Sequence, residues 1–269
     1  MNRLLNSIFT IKKKTVDVTI VLNIWKRKYL NEQLNSLCKQ TVRAKEIWII
    51  HYETHFNISE IIKEFEGLLP PIIVIESSKN LKFFGRFSVA ININTKFIWI
   101  LDDDIIPGEL WLERSCKKCE SLNSIISCTG RIIPRNDYQP EKPSNLSLNY
   151  FIGDVHGHKD DITFCKEQKV VDFACQSYFF KSEWLRIFWS IWPITFLSGE
   201  DIHLSATCKQ VLNINTTVLK QTNLRNSGSI KKRYGGDEFA TFKKNNFLEL
   251  REKVFRYHII ENNWKPVLW

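Results

Sequence analysis

Several things are missing from this sequence, and each absence narrows what the protein does. No stretch approaches the ~20 consecutive apolar residues that a bilayer-spanning helix needs, so no transmembrane segment is expected. The seven cysteines are odd in number and irregular in spacing. Cys116 and Cys119 form a CxxC with no second pair, which argues against a zinc framework. The same spacing puts both on one face of a helix. All seven are therefore read as reduced thiols in a reducing compartment, which predicts a cytoplasmic location. The net charge of +9 calls for an anionic partner. No zinc finger or aromatic RNA-binding strip accompanies it, and the basic residues are scattered, with short clusters only at Lys12, Lys13, Lys14 and at Lys231, Lys232, Arg233. Nucleic acid is thus not the expected partner. At the start, apolar residues (Leu4, Leu5, Ile8, Phe9, Ile11) precede three lysines, the reverse of a signal peptide. That segment reads as a weak amphipathic contact for a membrane or partner, as a frayed end, or as a first helix. There is no internal repeat.

What is present is an ordinary globular composition, 43% apolar and 25% charged, over 269 residues, enough to bury a full core as one domain. The first hundred residues alternate strand and helix. A β-branched run at 16–23 predicts a buried strand, and Leu30, Leu34 and Leu37 place a helix over 29–40. A strand at 46–50, a helix over 58–69 stopped by Pro70 and Pro71, a strand at 72–75, a helix over 84–93 and a strand at 97–101 follow. Short apolar strands separated by helices imply an α/β fold, a mostly parallel sheet with helices on its faces. Right-handed crossovers then gather the carboxyl ends of the strands along one edge, where ligands bind.

The second half is less regular. A helix is expected over 110–122, a strand over 124–133, polar loops at 137–143 and 153–161, and a strand or bent strand pair over 170–180. A helix begins at Ser182 and another runs over about 199–212. After Asn223 lysine, glycine and asparagine become frequent, which predicts a flexible tail or lid. The organisation expected is an extension at 1–15, a catalytic domain at 16–222 divided near 108 into nucleotide and acceptor halves, and the tail at 223–269.

Chemistry concentrates at a few places. Asp102, Asp103 and Asp104 directly follow the hydrophobic strand FIWIL. Adjacent carboxylates repel, and a divalent cation such as Mn²⁺ or Mg²⁺ relieves that; an acidic turn in water is the plainer reading. Ser198-Gly199-Glu200-Asp201 opens a helix. It reads as a capping box with Ser198 as the cap and Asp201 at the third position, or as a carboxylate held to accept a proton. Arg86 stands before the aspartate strand, where it meets phosphate, clamps an acid, or is surface charge. Lys231, Lys232 and Arg233 precede Gly235 and Gly236 and suit closure over a diphosphate, or are a solvated face. Trp184, Trp189 and Trp192 line an acceptor groove or fill the core, and His203 is a ligand or a polar contact within its helix.

Taken in order, five segments resemble a family-2-type glycosyltransferase: VTIVLNIWKRKYLNEQLNSLCKQT (18–41), NLKFFGRFSVA (80–90), IWILDDDIIPGELWLE (98–113), VVDFACQSYFFKSEWL (170–185) and FLSGEDIHLS (196–205). The resemblance runs over about 16–212. It implies a GT-A, Rossmann-like fold and a nucleoside-diphosphate sugar donor, with a UDP-sugar favoured, and a glycan or other hydroxyl acceptor. It assigns metal to Asp104 with Asp102, donor contacts to Asn23, Glu53, Arg86, Asp102 and Asp103, and base catalysis to Asp201, with Glu200 orienting the acceptor or supporting the loop. The carboxyl end of the second strand departs from the family, with His51-Tyr52-Glu53 where many relatives carry an acidic pair. A retaining transferase is the first alternative. A haloacid-dehalogenase-like phosphatase using Asp102 and Asp104 is the second, although its motif normally stands near the start of its domain. A sugar nucleotidyltransferase is disfavoured because residues 23–27 contain no glycine.

Overall fold

The run VTIVLNI is dominated by β-branched and leucine side chains, which favour extended backbone, and forms strand β1 (Val18–Ile24), nearly all of it buried. The computed structural model describes residues 13–133, 151–152, 165–230 and 236–269. The basic triplet at 231–233, the loops at 137–143 and 153–161, and residues 1–12 lie outside the described residues.

The alternation read from the sequence recurs as α1 (Leu30–Cys38), β2 (Glu46–Tyr52), α2 (Ser59–Lys63), β3 (Ile72–Ser77), α3 (Lys82–Ala90) and β4 (Phe97–Leu101). Helix α2 stops well short of residue 69, and short turns carry the chain on to Pro70. Strands β1, β2, β3 and β4 pair in parallel. β4 lies in the middle of the sheet, which explains why all five residues of FIWIL are buried. Their burial anchors the strand end that carries the aspartates, at roughly 1.5–3 kcal/mol for each large apolar side chain.

Beyond β4 come α4 (Trp111–Leu122), β5 (Ile125–Ser127), β6 (Thr129–Arg131), β7 (Phe151–Ile152), β8 (Lys169–Val171), β9 (Phe173–Cys175) and β10 (Ser177–Lys181). Then follow α5 (Trp184–Phe188), α6 (Glu200–Leu212), β11 (Thr216–Val218) and α7 (Phe247–Arg256). The main sheet has the order β3-β2-β1-β4-β10-β5-β11-β8. β10 inserts antiparallel between β4 and β5, so the sheet is mixed, though mostly parallel in its first half. β6, β7 and β9 form a small antiparallel sheet. The strand expected over 124–133 is thus two strands broken at Cys128, serving different sheets. The one or two expected over 170–180 are three, broken at Asp172 and Gln176.

The tail expected to be flexible or a lid differs most. Residues 247–256 form α7, whose Arg251, Val254 and Phe255 are buried, and Trp264 beyond it is buried too. These residues cover Phe173, Ile202 and Ala206 in a second apolar cluster. The physical reason is amphipathicity: within a lysine-rich stretch, Phe247, Arg251, Val254 and Phe255 recur at helical spacing. Among the described residues no helix is long and apolar enough to cross a membrane.

Candidate active site

The site begins where β4 ends. Asp102 accepts a hydrogen bond from Arg86 Nη1 of α3. Arg86 also donates from Nη2 to Glu200 Oε1, at 2.7 Å, at the first turn of α6. One buried guanidinium therefore joins the aspartate triplet to the Glu200-Asp201 pair, two motifs about a hundred residues apart. Asp103 and Asp104 are held by Arg27, whose Nη1 lies 2.6 Å from Asp103 Oδ1 and 3.1 Å from Asp104 Oδ2. The other edge of Arg27 pairs with Asp237, Nε at 2.7 Å and Nη2 at 2.8 Å.

Charge in this cluster is compensated only in part. Burial, and then the neighbouring Asp102 and Asp103, push the Asp104 carboxyl up to about 8; Arg27 pulls the other way and does not win. Asp103 is raised as well, chiefly by burial. Asp104 Oδ1 is buried with no hydrogen-bond partner among the described residues. Among the described residues no three carboxylate, imidazole or thiol side chains converge as a ready metal cage. An oxygen-rich pair with one unused buried oxygen nevertheless fits a hard cation that takes few protein ligands and completes its shell with phosphate and water.

On the neighbouring strands, Asn23 donates from Nδ2 to Leu101 O at 3.2 Å, while its Oδ1 is buried without a partner among the described residues. Glu53 is exposed and has φ +58°. It accepts from Trp25 Nε1 at 2.5 Å and lies 3.1 Å from His55 Nε2. The Trp25 hydrogen bond first, and His55 next, hold its carboxyl below the usual range. Asn23, Glu53, Arg86 and the aspartates thus share the carboxyl edge of the sheet.

At the other end of the site, Asp201 is gripped by Arg251 of α7, with Nη1 to Oδ1 and Nη2 to Oδ2 both at 2.8 Å. Oδ1 also accepts from Ile202 N at 2.8 Å. Glu200 is raised to about 7 by burial, then by Asp201, against the pull of Arg86. The capping box expected at Ser198 does not form. The cap is Gly199 in the left-handed region at φ +84°, and no side chain closes the helix end. A Cβ on Gly199 would lie 2.8 Å from a methyl of Val254, so the glycine serves both the turn and the close approach of α7.

Trp184 is 2% exposed and packed in the main core, which removes it from any acceptor groove. Trp192 is 69% exposed, beside Phe196, on the loop that leads into α6. His203 is buried with Nδ1 2.9 Å from His258 Nε2 and Nε2 2.9 Å from Phe188 O, a polar contact between α6 and the chain after α7. Three charged residues of the cluster were not assigned from the sequence: Arg27, Asp237 and Arg251. Arg27 stands in the loop after β1, on the ligand edge, which is a legible signal. Arg251 sits on the apolar face of an amphipathic helix, where a lone arginine implies a buried acid. Asp237 carries no local signal.

Residues 18–186 match the family model described as glycosyl transferase family 2. No curated protein matches the sequence. Among solved structures, the crystal structure of residues 1–349 of S. aureus TarS is similar with a TM-score of 0.53 at 12% identity, covering 91% of this chain and 73% of that one. Another S. aureus TarS structure gives 0.51 at 13% identity, covering 76% of this chain and 35% of that one. This chain therefore corresponds to about a third of that longer protein. At these identities the likeness speaks for the fold, and it agrees with the GT-A sheet order around β4. The family match spans the strands that carry Asn23, Glu53 and the aspartate triplet, and it leaves the phosphatase alternative without support. With sheet and match in agreement, the chain belongs to glycosyl transferase family 2 and has the GT-A fold.

Proposed function

We propose that the protein transfers one sugar from a nucleoside-diphosphate donor, with a UDP-sugar favoured, to a hydroxyl of a glycan or similar acceptor, with inversion at the anomeric carbon and with Mn²⁺ or Mg²⁺. The observation that supports this reading is the Arg86 bridge, in which one buried guanidinium holds both the Asp102 carboxylate and Glu200, the neighbour of Asp201 in sequence. A donor bound over Asp102 would then present its reacting end toward the start of α6.

The aspartates at the end of β4, chiefly Asp104 with Asp102, would hold the cation. The metal would supply positive charge to the departing diphosphate. Asn23, with a free buried oxygen, and Glu53, at the mouth of β2, flank the nucleoside side, and Asp103 remains with Arg27. Lys231, Lys232 and Arg233 are proposed, on charge alone, for the diphosphate. Asp201 takes the proton of the acceptor hydroxyl, and Glu200, which burial raises, orients the acceptor through the Arg86 network. Trp192, exposed on the loop before α6, offers a ring face to an acceptor sugar.

The test is release of nucleoside diphosphate from a panel of UDP-, GDP- and dTDP-sugars with and without Mn²⁺. Metal-dependent release that is lost in Asp104→Ala supports the proposal. Equal release from Asp104→Ala and the unaltered protein would refute the metal assignment.

A further inference from the structure

The Asp201–Arg251 pair is more than a contact between two helices. Both partners are buried, at 5% and 7% exposure, and both lie beyond the 18–186 family match. The guanidinium also lies over the rings of Phe173, at 5.1 Å, and Phe247, at 5.3 Å, measured to the ring centres. Gly199 lets the Val254 side chain of α7 pack against the turn immediately before the carboxylates. A buried ion pair is a poor route to stability, because desolvation consumes most of what the charges gain. A bidentate pair does, however, fix orientation.

The hydrogen bonds also separate the two carboxylate oxygens. A carboxylate has about four lone-pair positions. Oδ1 uses two of them, on Arg251 Nη1 and Ile202 N, whereas Oδ2 uses one, on Arg251 Nη2. We propose that Arg251 of the C-terminal helix is a positioning residue for the transfer reaction, holding Asp201 so that the remaining lone pair of Oδ2 accepts the acceptor proton. This rests on the reading of Asp201 as base. In that step the acceptor O–H proton passes to Oδ2 and the oxygen bonds to the anomeric carbon. The bond from that carbon to the phosphate oxygen breaks, and its electron pair leaves with the diphosphate. The other groups bearing on the same pocket are Glu200, Cys175 of β9 and Tyr178 of β10, with two further cations, Arg86 bonded to Glu200 and Arg131 acting on Cys175. Among the described residues only Arg251 bonds both Asp201 oxygens.

The experiment compares the unaltered protein, Arg251→Lys, Arg251→Gln and Asp201→Asn in the nucleoside-diphosphate release assay, with acceptor supplied as a mixture of oligosaccharides. Arg251→Gln is expected to lower kcat by about 100-fold, the scale of a misplaced catalytic group, with the donor KM within about twofold. Arg251→Lys, which keeps the cation in the core and loses the fork, recovers part of the rate and decides the matter if the glutamine variant does not fold. Folded Arg251 variants with an unaltered kcat, beside an inactive Asp201→Asn, would overturn this inference alone. Full activity in Asp201→Asn, or no release by the unaltered protein from any donor, would overturn the base reading and this inference with it.

Discussion

Arg86 Nη2 lies 2.7 Å from Glu200 Oε1, across 114 positions of sequence, while Nη1 of the same side chain holds Asp102. This contact joins the first half of the chain to the start of α6. Both the guanidinium and Glu200 are withdrawn from water, so neither tolerates loss of the other.

Replacing Arg86 with methionine keeps most of the side-chain volume and removes the charge. The variant leaves a buried Glu200 unpaired, which costs about 3–5 kcal/mol. Urea denaturation should show a loss of that order. A loss below ~1 kcal/mol would mean that the pair contributes little to holding the two motifs together.

The pH dependence of stability carries a sign that can be worked out. Asp104 is raised to about 8 and Glu200 to about 7, in both mainly by burial. In the unfolded chain these carboxyls release their protons near pH 4. Between those limits the native state binds more protons than the unfolded chain, so stability is greatest at low pH and is lost as pH rises through the folded values. The histidines oppose this below about pH 6.5. Burial lowers His203 to about 4 and His258 to about 3, so their contribution is lost as pH falls. The window from about pH 6.5 to 8 isolates the carboxylates. Thermal midpoints in chelator should fall across it by a few degrees, and Asp104→Asn should flatten most of that slope. An unchanged slope in the variant would contradict the burial of Asp104.

Gly199→Ala introduces a Cβ at a positive φ and against Val254. Left-handed backbone at a non-glycine residue costs on the order of 1–3 kcal/mol, and the displaced α7 adds to it. Denaturation should register at least about 1 kcal/mol, and transfer should fall with it because Arg251 moves with the helix. A variant as stable and active as the unaltered protein would show that α7 does not need this approach.

Much of the first hundred or so residues could be read directly from the sequence, because their strands are continuous apolar runs bounded by turns. FIWIL predicted a strand at 97–101 and forms one over those residues, delivering the aspartates to the expected edge. Periodicity does not encode strand order, so the antiparallel insertion of β10 beside β4 was not legible. Nor does it separate α6, buried along most of its length, from a half-exposed helix. The capping pattern at Ser198 misled because a left-handed glycine one position on does the capping. The ionic partners of the site are separated by 76 positions for Arg27 and Asp103, 210 for Arg27 and Asp237, and 50 for Arg251 and Asp201. No local pattern signals contacts at those distances. The C-terminal composition also hid the alternation of Arg251, Val254 and Phe255 among lysines.

On the proposed reading, the aspartates after β4 bind a nucleoside diphosphate through a divalent cation. Isothermal titration of UDP, GDP and dTDP into the protein, each with Mn²⁺ and with chelator, tests this most directly. Saturable, Mn²⁺-dependent binding of one nucleotide is expected, UDP being favoured, lost at least about 100-fold in Asp104→Ala and retained in Asp201→Asn. Binding of equal strength in chelator, or unaltered binding by Asp104→Ala, would contradict it.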